Sequence, residues 1–211
     1  MAQKTRNLFS EDQEKRIGEA VRQAENMTAG EIVPMVTDAA DTYPHAHLIG
    51  GLIGLLAASL AAVWVLPVFA PLELFAMQAA GFVAAFLLVR FVPALKRSLL
   101  SARVREEEVY ERALKAFQDL ELHRTRDRTG VLIFVSLLEH RVQVLADTGI
   151  NARVKPGSWN EVLELVLAGI RRGDLTSGLC DAVELCGKIL AAEFPLRADD
   201  RNEISDELRR G

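Results

Sequence analysis

The sequence predicts an α/β domain interrupted by an apolar helical hairpin, and three observations carry that prediction. The stretch from Leu48 to Leu95 holds one acid, Glu73, and one base, Arg90, in a chain of 211 residues with 25 Lys+Arg and 29 Asp+Glu in all. Val131 to Leu138, VLIFVSLL, is short and almost wholly apolar, the pattern of a strand buried on both faces. On either side of these lie charged segments with apolar residues at helical spacing. The polar part, roughly 160 residues, suffices for one domain that buries about 70% of its unfolded surface, and two large domains would not fit.

Half of the residues are apolar and two are cysteines, which excludes collagen-like, disordered and disulfide-scaffold classes. Cys180 and Cys186 stand six apart on a predicted helix, so they point to different sides and do not bridge each other; a reducing compartment follows. A formal charge of −4 argues against a general nucleic-acid binder, whose phosphate contacts need a basic stripe.

In chain order, Ser10, Glu11, Asp12 and Gln13 fit a capping box, and Ile17, Ala20, Val21 and Ala24 follow at helical spacing. A helix is therefore predicted from about Glu11 to Met27. Gly30 lets the chain turn into a strand, Glu31 to Thr37, where Pro34 removes a donor and marks an edge or bulged position. Beyond the insert, Ser101 to about Arg124 carries Val104, Val109, Ala113, Phe117 and Leu120 among many charges, a long amphipathic helix. Val131 to Leu138 is the central strand, and Glu139 and His140 form a tight turn. Arg141 to Asp147 returns antiparallel, with Val142, Val144 and Ala146 on one face and Gln143 on the other. Ser158 and Glu161 suggest a second capping box, opening a helix through Val162, Leu165, Val166 and Ile170 that stops at Gly173. A last helix spans about Thr176 to Phe194, and residues 195–211 are a polar tail with no predicted structure.

Leu48 to Ala70 is 23 uncharged residues, enough to cross a hydrocarbon core of roughly 30 Å, so it reads as a transmembrane helix. After Pro71, Leu72 and Glu73, Leu74 to Val89 is a second span, extended to Leu95 if Arg90 snorkels to the headgroups. The first run begins behind about forty polar residues, too late for a cleavable leader. A short turn makes the two an antiparallel hairpin, with both polar parts of the chain on one side. Lys96, Arg97, Arg103 and Arg105 follow the second span while the turn holds no base, which places the polar domain in the cytoplasm. These cations are expected to meet anionic lipid. Small residues recur every four positions, Gly50, Gly54, Ala58 and Ala62 on one helix and Ala76, Ala80 and Ala84 on the other. Two uses of that ridge stand open: the hairpin packing on itself, and a homodimer seam through Gly50 and Gly54.

If the Glu31 strand and the Val131 strand run parallel, the insert and the long helix together form one crossover of a single domain. The soluble domain is then discontinuous, residues 8–37 and 101–194, with the hairpin at 48–95. That topology groups Asp38, Asp41, Glu139 and His140 at the end toward the membrane. It leaves Glu31, Asp147 and Asp174 at the far end.

The order of several motifs resembles the TPM domain family, known from thylakoid-lumen, photosystem-repair and receptor-accessory proteins and labelled phosphatase-like. The residues that carry the resemblance are Gly130 to Ser136, the hairpin Arg141 to Ile150, and Gly173-Asp174-Leu175 leading into Gly178 and Leu179. Phe9 and Ser10, and Gly30 to Val33 in the first strand, complete it. The resemblance implies an α/β/α sandwich with a small mixed sheet and, in some members, bound calcium or weak acid-phosphatase activity. This chain departs in placing two spans within the domain, and the aspartate that relatives often have just upstream of the first helix has no counterpart near Leu8.

A phosphatase needs a nucleophile or a metal-bound hydroxide with cationic groups around the phosphoryl oxygens. The sequence has no Cys followed by five residues and then Arg, no Arg-His-Gly and no Asp-x-Asp-x-Thr pattern. Glu31, Asp147 and Asp174 are the candidate metal ligands, hard oxygens suited to Ca2+ or Mg2+ if they gather at one sheet end. The bland roles of the three are a strand start, a turn before Gly149 and a helix N-cap. His45 and His47 lack the second pair a zinc site needs and are expected in the headgroup layer. His123, Arg124, Arg126 and Arg128 are expected to complement a helix C-terminus rather than bind nucleic acid. The function expected is a membrane-anchored accessory or assembly module offering its α/β surface to another membrane protein; the alternative is a metal-dependent phosphatase acting on phosphomonoesters.

Overall fold

The computed structural model describes residues 8–65, 70–155, 157–196 and 202–211. The chain divides into two compact units, Met1–Ala40 with Glu106–Gly211, and Asp41–Arg105.

The first unit is built on strands β1 (Glu31–Thr37), β2 (Gly130–Ser136), β3 (Arg141–Ala146) and β4 (Arg209–Arg210), in the order β3-β2-β1-β4. β1 and β2 pair in parallel from Glu31 and Gly130 to Thr37 and Ser136, and β2 and β3 are antiparallel. Parallel pairing makes the whole insert part of the β1-to-β2 connection. Because side chains alternate, Ile32, Val36, Val131, Ile133 and Val135 enter one apolar layer, and Val33, Met35, Leu132 and Phe134 enter the other. That is why the two strands read as unbroken apolar runs.

The first layer is covered by α1 (Glu11–Glu25), α6 (Thr148–Asn151), α7 (Trp159–Arg172) and α8 (Leu175–Glu193), and the second by α5 (Ala102–Asp119). The fold is an α/β/α sandwich on a small mixed sheet. The α1 capping box forms in both directions: the Gln13 N–H donates to Ser10 Oγ (3.2 Å) and the Ser10 N–H to Gln13 Oε1 (2.8 Å). Gly187 packs on α1, where an added Cβ would lie 2.7 Å from the Ala24 methyl.

Several expectations are corrected. The helix after the insert ends at Asp119; Glu121 adopts a left-handed φ of 56°, and a 3-10 turn, Leu122–Arg124, follows. Arg126 and Arg128 lie in the loop beyond it. The β2–β3 turn occupies Leu137 to His140, with His140 at φ 52°. The second capping box does not form, because Ser158 is itself helical (φ −58°, ψ −24°) and its hydroxyl caps nothing. The tail is structured where described: residues 202–211 lie along β1, with Met35 and Val36 paired to Arg209 and Arg210. The Gly211 N–H donates to the Val36 carbonyl (3.2 Å), and Arg210 pairs with Glu14. Residues 197–201 of that tail lie outside the described residues.

The second unit holds α2 (Pro44–Val65), α3 (Pro71–Phe91) and α4 (Pro93–Leu99). The predicted end of the first span includes residues 66–69, outside the described residues. α2 and α3 pack antiparallel with small residues at their contact: an added Cβ on Gly54 would lie 2.3 Å from the Gly81 carbonyl oxygen, and one on Gly50 2.5 Å from Val89. Gly50 and Gly54 thus face α3 within the hairpin. Gln78 Nε2 donates to Ser59 Oγ (2.9 Å) across the same pair. The helix breaks at Val92, whose extended backbone precedes Pro93, rather than running to Leu95. Lys96 is buried and donates to the Thr42 carbonyl (3.3 Å), so it is not the lipid-facing cation expected.

Candidate functional site

The register decides where the predicted ligands fall. Glu31 opens β1 opposite Gly130, and the Asp147 N–H donates to the Gly130 carbonyl (2.9 Å), so both residues stand at one end of the sheet. They flank β2 on opposite sides, two strand spacings or roughly 10 Å apart. One carboxylate oxygen of each is hydrogen-bonded within the fold. Glu31 Oε1 accepts from the Glu203 N–H (2.9 Å). Asp147 caps α6: its Oδ1 accepts from the Thr148 N–H (2.6 Å) and hydroxyl (3.2 Å), and its Oδ2 pairs with Arg128 at 3.6 Å.

Asp174 does not join them. It is the exposed N-cap of α8, where bonds from the hydroxyl and N–H of Ser177 hold its carboxyl below the usual range. Among the described residues no three Asp, Glu, His or Cys side chains converge as a metal ion requires. Among the described residues Glu31, Asp147 and Asp174 are therefore not gathered into one cluster.

The other end of β1 and β2 gathers Asp38, Glu139 and Ser136. Glu139 is buried; its Oε1 accepts from the Ala40 N–H (3.1 Å) and its Oε2 from the Ser136 hydroxyl. This carboxylate ties the loop after β1 to the turn after β2. Asp41 belongs to the other unit. Both cysteines are free, and burial pushes their thiols up, which suits packing rather than nucleophilic work.

One titratable residue escaped the sequence reading. Glu25, at the end of α1, places its side chain against β1, where Oε1 accepts from the Ile32 N–H (2.9 Å). Burial pushes its carboxyl up to about 9, with the Glu31 and Asp206 carboxylates adding to the rise. Its signal was an acid four residues after Val21 on the apolar stripe of α1.

A groove runs along the free side of β3. It encloses about 450 Å³ and is lined by His140 to Gln143, by Asn160, Leu163, Glu164 and Leu167 of α7, and by Glu106 and Val109 of α5. That volume lies within the range of small-ligand and peptide sites. Sequence reading found the strand but could not show that its outer edge is left open between two helices.

The family model for the TPM domain matches residues 92–189. No curated protein matches the sequence. Among solved structures, the chain is similar to the BA42 protein of the psychrophilic bacterium Bizionia argentinensis, with 21% identity over 96% of this chain and 95% of that one and a TM-score of 0.61. At that identity the likeness bears on the fold.

Proposed function

We propose that this chain, whose residues 92–189 match the family model for the TPM domain, is a membrane-anchored accessory or assembly module offering its α/β domain to another membrane protein. The observation that carries the anchoring is the surface of the second unit. α2 and α3 are each long and apolar enough to cross a bilayer, and their large apolar side chains point outward: Trp64 is 90% exposed, Leu72 78% and Phe91 72%. A core helix of a soluble protein would cover such residues, since contiguous exposed apolar surface on this scale marks a lipid or partner contact. Lipid accounts for it over the full length of both helices.

Arg97, Arg103 and Arg105 beside the second span, with no base between the spans, favour a cytoplasmic α/β domain. The accessory role is supported by the engaged state of the carboxylates: Glu31, Asp147, Asp174 and Glu139 each hold a backbone N–H of the fold.

Ultracentrifugation of lysed cells tests the anchor. The full chain is expected in the membrane pellet and released by detergent; a monodisperse chain in the supernatant would overturn the reading. Reporter fusions at Pro71 and at Gly211 test the orientation. Crosslinking in native membranes is expected to join the α/β domain to a membrane protein. Hydrolysis of a phosphomonoester, abolished by Asp147→Asn, would replace the accessory role with the metal-dependent phosphatase.

A further inference from the structure

Residues 202–211 form one wall of a cavity as well as the edge of the sheet. The other wall is the turn after α5, and the space between them is about 290 Å³. Glu121, Arg124 and Thr125 line it from the turn, and Glu203, Ser205 and Arg209 from the C-terminal segment. Both walls belong to the α/β unit. Thr125 is buried; its Oγ1 accepts from the Thr129 N–H (2.9 Å), which leaves the hydroxyl proton to be donated.

The charges on these two segments pair off, with two exceptions. Arg124 holds Glu121 at 2.6 Å, Arg126 holds Asp127 at 3.4 Å, Arg128 holds Asp147 at 3.6 Å and Arg22 holds Asp206 at 3.2 Å, while Arg210 pairs with Glu14. Among the described residues Arg209 makes no ion pair and no side-chain hydrogen bond, and its Nε is buried without an acceptor. Glu203 is its counterpart. Both its carboxylate oxygens accept from the Arg126 N–H (3.1 and 3.4 Å), a neutral donor that leaves the negative charge uncompensated and lone pairs to spare. One cation and one acid that no ion pair satisfies therefore line the same cavity, and they do not bridge each other.

We propose that this cavity binds a small zwitterion, a free α-amino acid, with its carboxylate on Arg209 and its ammonium on Glu203. A guanidinium fork matches a carboxylate, and the hydroxyls of Thr125 and Ser205 are further donors to it. The ammonium supplies Glu203 with the charge-bearing donor it lacks. A simple anion would set a like charge against Glu203 and a simple cation one against Arg209, so the lining selects a ligand that carries both signs. Leu120 and Ile204 give its side chain an apolar contact, and the volume, at the low end for ligand sites, keeps the ligand small. Because the two walls come from separate segments, an occupant also holds residues 202–211 in place. The inference draws on the α/β unit and on nothing about the bilayer.

The test is calorimetric titration of the purified full chain in detergent micelles at neutral pH, with alanine, serine and leucine as probes. Isocaproate and isoamylamine, which keep one charge of leucine each, and inorganic phosphate are the controls. Saturable binding of at least one amino acid is expected, weakened about tenfold or more by Arg209→Gln or by Glu203→Gln. Leucine should bind about tenfold or more tighter than either single-charge analogue. Glutamine at position 203 keeps an acceptor for the Arg126 N–H, and the analogues report on wild type even if a variant loosens the segment. Hydrogen exchange at the Gly211 amide, which donates to Val36, should slow on binding. Absence of heat with all three amino acids at millimolar concentration would overturn the proposal. So would an analogue or phosphate that binds as tightly as leucine, or equal binding by wild type and both variants. A chain found in the supernatant would sink the anchor and leave this result standing.

Discussion

Replacing Glu25 by glutamine should make the α/β domain more stable, and more so as pH rises. The buried carboxyl is pushed from an ordinary 4.5 up to about 9, so between those values the folded state holds a proton that the unfolded chain releases. Stability therefore falls as pH rises through that window, and is flat above it. The slope from one such group is about 1.4 kcal/mol per pH unit. From about pH 5 to about pH 8 the loss reaches about 4 kcal/mol as an upper bound, and about 2 kcal/mol once the side chain's partial exposure is allowed for. Glutamine keeps the acceptor for the Ile32 N–H, offers a donor toward Asp206, and has no proton to release.

The assay is urea unfolding of the full chain followed by Trp159 fluorescence. Trp159 packs against the core of the α/β domain, and the exposed Trp64 is changed to Phe to silence the hairpin. Wild type should lose about 2 kcal/mol across that range and Glu25→Gln should lose little, ending the more stable of the two at the alkaline side. A wild-type stability that is level with pH, or a glutamine variant less stable at every pH, would refute the assignment of a buried neutral carboxyl.

Three further outcomes are expected. Ser10→Ala should cost about 1 kcal/mol by the same fluorescence measurement, whereas Ser158→Ala should fall within about 0.5 kcal/mol of wild type, since only the first serine caps its helix. Gly54→Leu should lower the thermal midpoint of the hairpin in detergent by the equivalent of about 1–3 kcal/mol, because its Cβ meets the Gly81 carbonyl; an unchanged midpoint would refute the α2–α3 contact. Arg210→Glu, which sets a second acid beside Glu14, should speed hydrogen exchange at Val36 while leaving Val33 slow, as loss of a two-residue strand from the sheet edge requires.

Where burial follows from local pattern, the sequence was enough. Glu31–Thr37 as a strand, the apolar run after Gly130 as a central strand, the Ser10 cap and the apolar hairpin all follow from spacing within a few residues. Asp174 was legible as an N-cap for the same reason, and Asp147 met Glu31 at one sheet end once β1 and β2 were parallel. Tertiary structure alone decided the rest. The docking of residues 202–211 joins Asp206 to Arg22 and Glu203 to Glu31 across more than 170 residues, and no periodicity encodes such pairs. Pro34 advertised an edge, yet that edge is covered by Glu25 and β4, while the alternating β3 strand is the terminal strand on the other side of the sheet. A side chain's environment is set by what the whole chain folds against it, and this is why Glu25 and Lys96, polar by type, end in buried places.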